Sequence, residues 1–270
     1  MVDEFEDSRS GYYPMHTDNP GHTYNWGTVT RSSMTAHRWG SYGSQSGAYS
    51  LKIATQPNTG YEASAIKRIT MPYTETGDWY SRMRFEAFFA YHEEPQGEIM
   101  DTEIRPENEE LTGESAVRSF MFGFDLHNRE NRWWPVIKYH NYEGEEKVGR
   151  WEYNDGGVDP ERDKLTPIPD AQQDLCWNSP NDSVPWKPNW HYIRIDLNMD
   201  EMRYDTLQCN DMVIDMSGLD RRLSDPVHEP GPTSPWGEID GLLNILPIVE
   251  TNKDTRSFLF LDSAVLSMEA

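Results

Sequence analysis

Residues 79–92 read WYSRMRFEAFFAYH, and no feature of the chain limits its fold more than the alternation in this run. On an extended backbone, Trp79, Ser81, Met83, Phe85, Ala87 and Phe89 fall on one side, and Tyr80, Arg82, Arg84, Glu86 and Phe88 fall on the other. A helix would scatter these two sets around its circumference, whereas a strand buries one and wets the other. Residues 119–127, SFMFGFDLH, repeat the pattern, with Phe120, Phe122, Phe124 and Leu126 inward and Met121, Gly123, Asp125 and His127 outward. PVIKYHNY, WHYIRIDL, YDTLQCNDMVIDM and RSFLFLDSAVLS extend the series. The 18 Pro and 19 Gly interrupt any long helical register, and 10 Trp with 14 Tyr suit pleated, half-buried surfaces. The expectation is an all-β chain, an antiparallel β-sandwich of jelly-roll type, forming a single domain over 1–270. Polar, Pro- and Gly-punctuated stretches predict long loops near 93–114 and 154–188.

Charge narrows the partners. A formal net charge of -22 repels phosphate backbones and anionic headgroups, and no Lys/Arg cluster reverses it locally, so neither nucleic acid nor membrane is expected. Polyanionic polysaccharides carry the same handicap. The two cysteines, Cys176 and Cys209, sit in no metal or redox spacing and leave one disulfide open. The opening MVDEFEDSRS has neither the basic start nor the apolar run of a signal peptide, which predicts a cytoplasmic chain, or an extracellular one if a leader has been removed.

Three segments carry a family resemblance. FED at 5–7, GAYSLKI at 47–53 and FLFLDSAVLS at 258–267 resemble the first, second and last strands of jelly rolls in the concanavalin A-like lectin/glucanase superfamily. Residues 189–219 are similar to a hairpin of that fold, and together with GLLNILPIVETNKDTRSFLFLDS they are closest to an uncharacterised bacterial family of such sandwiches. The resemblance implies a carbohydrate ligand on a concave sheet face. It also makes GEIMDTEI at 97–104 worth testing as a glucanase catalytic strand, with Glu98, Asp101 and Glu103 as its acids. The spacing fails, because Glu98 and Asp101 lie three apart and face opposite ways on a regular strand. Glu238 and Asp240 in WGEIDG share a side but lack a third acid. Both read as solvated acidic loops.

If the long strands lie in one sheet, their outward residues share a face: Arg82, Arg84 and Glu86; Asp125 and His127; Lys138, His140 and Tyr142; Tyr192, Arg194 and Asp196. The plainest reading is a solvated face laced with cross-strand ion pairs. A sharper one is a site. Glu86 and Asp125 would then form a hydrolytic carboxyl pair, or Arg84 would neutralise a uronate while His127 or Tyr142 moves protons in a β-elimination. The order Arg84-x-Glu86 and Asp125-x-His127 is similar to strands of alginate lyases, with Asp125 where Gln is expected. Trp133, Trp134, Tyr139, Trp151, Trp177 and Trp186 could stack on sugar rings, or anchor core and loops instead. The resemblance further implies a structural Ca²⁺ held by Glu6, Asp7 and Asp262, hard oxygen ligands that suit the ion. The alternative is that these acids cap strand ends. His191 and His140 lack zinc spacing. The reading is therefore a carbohydrate-binding sandwich, with a glycoside-active enzyme or a protein-interaction subunit as alternatives.

Overall fold

The computed structural model describes residues 2–3, 27–28, 33–37, 44–46, 50–70, 74, 76–93, 117–127, 131–143, 146–154, 165–169, 189–219, 225–226 and 242–270. Within them the protein is all β, in two antiparallel sheets. One sheet has eight strands, in the order β14 (Met212–Asp215), β13 (Arg203–Cys209), β12 (His191–Asn198), β6 (Arg82–Glu93), β17 (Ser257–Glu269), β4 (Leu51–Thr55) and β3 (Ser33–His37), with β1 (Val2–Asp3) beside β17. The other has nine, in the order β11 (Leu165–Pro167), β10 (Glu146–Asn154), β9 (Val136–Glu143), β7 (Val117–His127), β16 (Leu242–Thr251), β5 (Glu62–Thr70) and β2 (Gly27–Thr28). Its remaining strands are β8 (Asn131–Trp133), paired with β7, and β15 (Asp225–Pro226), paired with β8. The strands expected from alternation are all present. Most of the two predicted loop segments, the GEIMDTEI and WGEIDG motifs, Glu6, Asp7, Trp177 and Trp186 lie outside the described residues, and within the predicted 154–188 loop the short strand β11 pairs with β10.

The inward sides of β6 and β7 meet across the sandwich. Phe85 packs against Phe122 and Phe124 at ring centroid distances of 5.9 and 5.5 Å, and Phe89 packs against Phe120 and Phe122 at 5.0 and 5.7 Å. Each such buried ring contributes roughly 2–3 kcal/mol, against about 0–1 kcal/mol for an exposed ion pair, so these rings and not the outward charges fix how the two strands face. One expectation is corrected as a result. β6 and β12 belong to the eight-stranded sheet while β7 and β9 belong to the nine-stranded one. With both aromatic sides turned toward one core, Glu86 and Asp125 must point out of the molecule on opposite sides. The expected polar face is two faces, and those two carboxylates cannot flank one bond.

Polar contacts inside the core tie the sheets together. Tyr204 of β13 is fully buried and reaches across to the nine-stranded sheet, where its hydroxyl donates to Asn154 Oδ1. The same oxygen accepts the Val136 N–H at 2.9 Å, and Asn154 Nδ2 donates to the Trp134 carbonyl at 2.5 Å. At the far end of β12, His191 lies inside against Phe89 and Tyr91. Asn210, at the turn between β13 and β14, has φ of 54°, a conformation Asn tolerates. Its Oδ1 accepts the Tyr192 N–H at 3.0 Å, which turns its Nδ2 toward His191 Nδ1 at 3.1 Å. His191 Nδ1 is then the acceptor and the imidazole is neutral, and burial pulls its pKa from 6.5 down to about 4.

Two outcomes follow. Replacing Tyr204 with Phe leaves Asn154 short of a buried partner and lowers unfolding free energy by about 1–3 kcal/mol, read as a lower urea midpoint at unchanged slope; an unchanged midpoint would remove the strut from the account. Because unfolded His191 binds a proton below pH 6.5 and the folded residue does so only near pH 4, its contribution is present above 6.5 and lost as pH falls toward 4. Across that window a His191→Gln variant should lose less stability than the parent, by a difference of up to roughly 3 kcal/mol, and parallel pH profiles would contradict the buried neutral histidine.

Candidate functional site

Strand register builds rows across the outward face of the nine-stranded sheet. Arg150, His140, Ser119 and Glu250 lie side by side on β10, β9, β7 and β16. The next row is Glu152, Lys138, Met121, Ile248 and Ser64, and beyond it Val136, Gly123 and Leu246 follow. One end of the face is thus ionic and the middle apolar, where Ile66, Met121, Val136, Leu246 and Ile248 form a cluster of their own with Trp134 and Leu165 packed against it.

The ionic end is a network. Glu250 accepts from Arg118 Nη1 at 2.7 Å and Ser119 Oγ at 3.1 Å, with Lys138 Nζ 3.7 Å away. Glu152 is paired with Arg150 through Oε1 and stands 3.5 Å from His140 Nδ1 through Oε2. Burial pushes the Glu152 carboxyl up, but hydrogen bonds from His140 and Arg150 outweigh it and hold the group below the usual carboxylate range. An ionised Glu152 facing Nδ1 favours a proton on that nitrogen of His140 and leaves Nε2 outside the pair. Among the described residues that Nε2 is buried with no hydrogen-bond partner, and so are Ser64 Oγ and Arg118 Nε.

Trp133 and Trp134 are consecutive at the end of β8 and face opposite ways: Trp133 enters the core while Trp134 lies over the sheet at Gly123. A Cβ on Gly123 would come within 3.3 Å of Trp134 Nε1, so glycine here gives the indole room to lie close to the strand. Asn154, bonded to the Trp134 carbonyl, sets where that residue leaves the chain.

The other predicted residues separate. Lys138, His140 and Tyr142 do share the outward side of β9. Asp125 shares that sheet's outward side on β7, buried, and accepts from Asn244 Nδ2 at 3.2 Å. His127 closes β7 in register with Arg132 and Leu242. On the opposite outer face, Arg82 is exposed, Arg84 Nε donates to Asp196 at 2.7 Å, Arg194 grips the same carboxylate, and Tyr192 donates to Glu86 at 2.5 Å. Burial and the Glu86 bond raise the Tyr192 hydroxyl to about 12, so it holds its proton. That face matches the solvated, ion-laced reading.

Three of the aromatic candidates require correction. Trp133, Tyr139 and Trp151 are buried in the interior and cannot meet a sugar. Alternation is the reason, since Tyr139 sits between outward Lys138 and His140, and Trp151 between outward Arg150 and Glu152. Of the implied calcium ligands, Asp262 lies at a bulge in β17 with its Oδ2 accepting the Gln45 and Ser46 amides at 2.7 and 2.9 Å. This is the capping role, and no group of three His, Cys, Asp or Glu side chains suited to a metal occurs among the described residues. The other two implied ligands, Glu6 and Asp7, lie outside the described residues. Glu152, Glu250, Ser64 and Arg118 escaped the sequence reading. Glu152 was accessible through the alternation of RWEY, whereas Glu250 closes LLNILPIVE, an apolar run that conceals which side faces out.

No curated protein matches the sequence. Among solved structures, the chain is similar to the potassium-bound carbohydrate recognition domain of Emp46p, at 10% identity over 91% of this chain and 89% of that one, with a TM-score of 0.44. It is similar to the cellulose-induced protein Cip1 at 9% identity over 99% and 96%, with a TM-score of 0.42. For the metal-free form of lectin I-B4 from Griffonia simplicifolia the values are 10% identity over 90% and 95%, with a TM-score of 0.42. Likeness this distant assigns no ligand to the chain. Family membership rests on a different match: residues 11–270 fit the family described as domain of unknown function DUF6772, and the chain belongs to that family.

Proposed function

We propose that the outward face of the nine-stranded sheet binds an oligosaccharide. The observation that carries this reading is the partly exposed Trp134 indole lying over the sheet at Gly123, on the same face as the Arg150, Lys138 and His140 side chains. Saccharides combine the two surfaces this face offers, with hydroxyls for the polar atoms and a C–H ring face for an indole. On the opposite outer face, Arg84 and Arg194 engage Asp196, and Tyr192 engages Glu86.

Thermal-shift measurements against a panel of neutral and acidic oligosaccharides, with mass spectrometry of every stabilising sugar, test the reading. A sugar that raises the melting temperature and returns intact supports a binding protein, while a panel that shifts nothing contradicts it. Trp134→Ala should weaken the best ligand by about 1 kcal/mol, roughly fivefold. Gly123→Ala should weaken it in the same direction by displacing the indole. Ligand affinity unmoved by both substitutions would take Trp134 out of the site.

A further inference from the structure

Trp134 and Pro135 are the two residues between β8 and β9, and both of those strands pair with β7. A residue before proline is steered away from helical backbone, so Pro135 already narrows the conformations open to Trp134. The Pro135 carbonyl accepts the Phe124 N–H at 2.9 Å, which ties this link to β7 beside Gly123. The register between β9 and β10 runs to Ile137 and Tyr153, and just beyond it the Asn154 side chain takes the place of the ladder. Its Oδ1 accepts the Val136 N–H at 2.9 Å, and its Nδ2 donates to the Trp134 carbonyl at 2.5 Å.

Only one orientation of the Asn154 amide satisfies both bonds. The Val136 N–H is a donor, so the atom facing it must be the amide oxygen, and the NH2 is then turned to the Trp134 carbonyl. The Tyr204 hydroxyl reinforces that choice from the opposite sheet, because it donates to the same Oδ1. It also accepts the Val136 N–H at 3.0 Å. The Tyr204 ring is wedged edge-on against Trp133 and Tyr153, with centroids 6.0 and 5.6 Å away, and these rings immediately precede Trp134 and Asn154 in the chain. Tyr204 is fully buried, so its hydroxyl has no solvent to turn toward.

We infer that Asn154, aimed by Tyr204, is a positioning residue for the saccharide site: it holds the Trp134 carbonyl and so presents the indole to an arriving sugar in one orientation. This rests on Trp134 meeting the saccharide, as proposed above. Gly123 puts no side chain beneath the indole, so the direction of the ring depends more heavily on how the Trp134 backbone is held. A ring already ordered in the free protein loses less freedom on binding than one the ligand must fix, and the difference appears as affinity. A residue of the eight-stranded sheet thereby sets the quality of a site on the nine-stranded one.

Asn154→Asp separates positioning from support of the fold. Its carboxylate still accepts from Tyr204 and Val136 but sets an oxygen, in place of a donor, against the Trp134 carbonyl. In the free protein the indole N–H resonance of Trp134, identified by its loss in Trp134→Ala, should move and broaden in Asn154→Asp. Calorimetric titration with neutral and acidic hexasaccharides should find the tightest of them weakened about threefold by Asn154→Asp, with no further weakening when the same change is made in Trp134→Ala. Tyr204→Phe should act in the same direction to a smaller extent, and it carries the test if Asn154→Asp fails to fold. His191→Gln, another polar change buried between the sheets, should leave the affinity as it was. An equal loss with and without Trp134 would overturn the inference and leave the saccharide reading standing, as would an affinity and a Trp134 resonance both unmoved by Asn154→Asp. If Trp134→Ala costs no affinity, or no hexasaccharide binds, the saccharide reading itself fails and the inference falls with it.

Discussion

The contact between the inward sides of β6 and β7 decides most of what this protein can do with its surface. Phe85 and Phe89 from one sheet interleave with Phe120, Phe122 and Phe124 from the other. Side chains alternate along a strand, so burying these rings in one core commits every intervening residue to an outer face, and to opposite outer faces on the two strands. No pairing of surface charges could override that, because the ring burial is worth several times an exposed ion pair. The chemistry available to the molecule is then whatever each strand happens to carry between its core residues.

On the nine-stranded sheet those residues form something other than a wetted surface. β9 supplies Lys138, His140 and Tyr142, β10 supplies Arg150 and Glu152, and β16 supplies Glu250. The core reaches into this arrangement from behind. Tyr204 crosses from the eight-stranded sheet to Asn154, Asn154 fixes the Trp134 carbonyl, and Gly123 lets the Trp134 indole lie against the strand. A hydroxyl buried in the interior thereby helps to set the position of an aromatic ring on the exterior. Rigid support of this kind lowers the ordering cost when a ligand docks.

Much of the fold was legible, for a simple reason: period-two alternation over long runs has few structural solutions. The runs at 79–92 and 119–127 marked both strands and sorted inward from outward residues correctly. Sheet membership was hidden, because alternation says which side of a strand is buried but not which strands are neighbours. β6 pairs with β12 and β17, far away in sequence, and β7 pairs with β16, so nothing local reports it. The single polar face expected from sequence failed on that point alone. The aromatic candidates failed on another: Tyr139 and Trp151 were counted by type and proximity, although alternation already turned them inward beside Lys138 and Glu152. Asp262 illustrates a third limit, since the sequence shows an acid on the last strand but not the Gln45 and Ser46 amides that it caps.

The central claim is that ligand recognition belongs to the outward face of the nine-stranded sheet. Methyl resonances report it directly, because both outer faces carry methyl groups: Met121, Leu246 and Ile248 on the nine-stranded sheet, Val213 and Val265 on the eight-stranded one. When a stabilising saccharide is titrated into the labelled protein, the account predicts that Met121, Leu246 and Ile248 shift together and saturate at one affinity while Val213 and Val265 stay in place. Shifts confined to Val213 and Val265 would contradict it, and would move recognition to the face of Arg84, Glu86 and Tyr192.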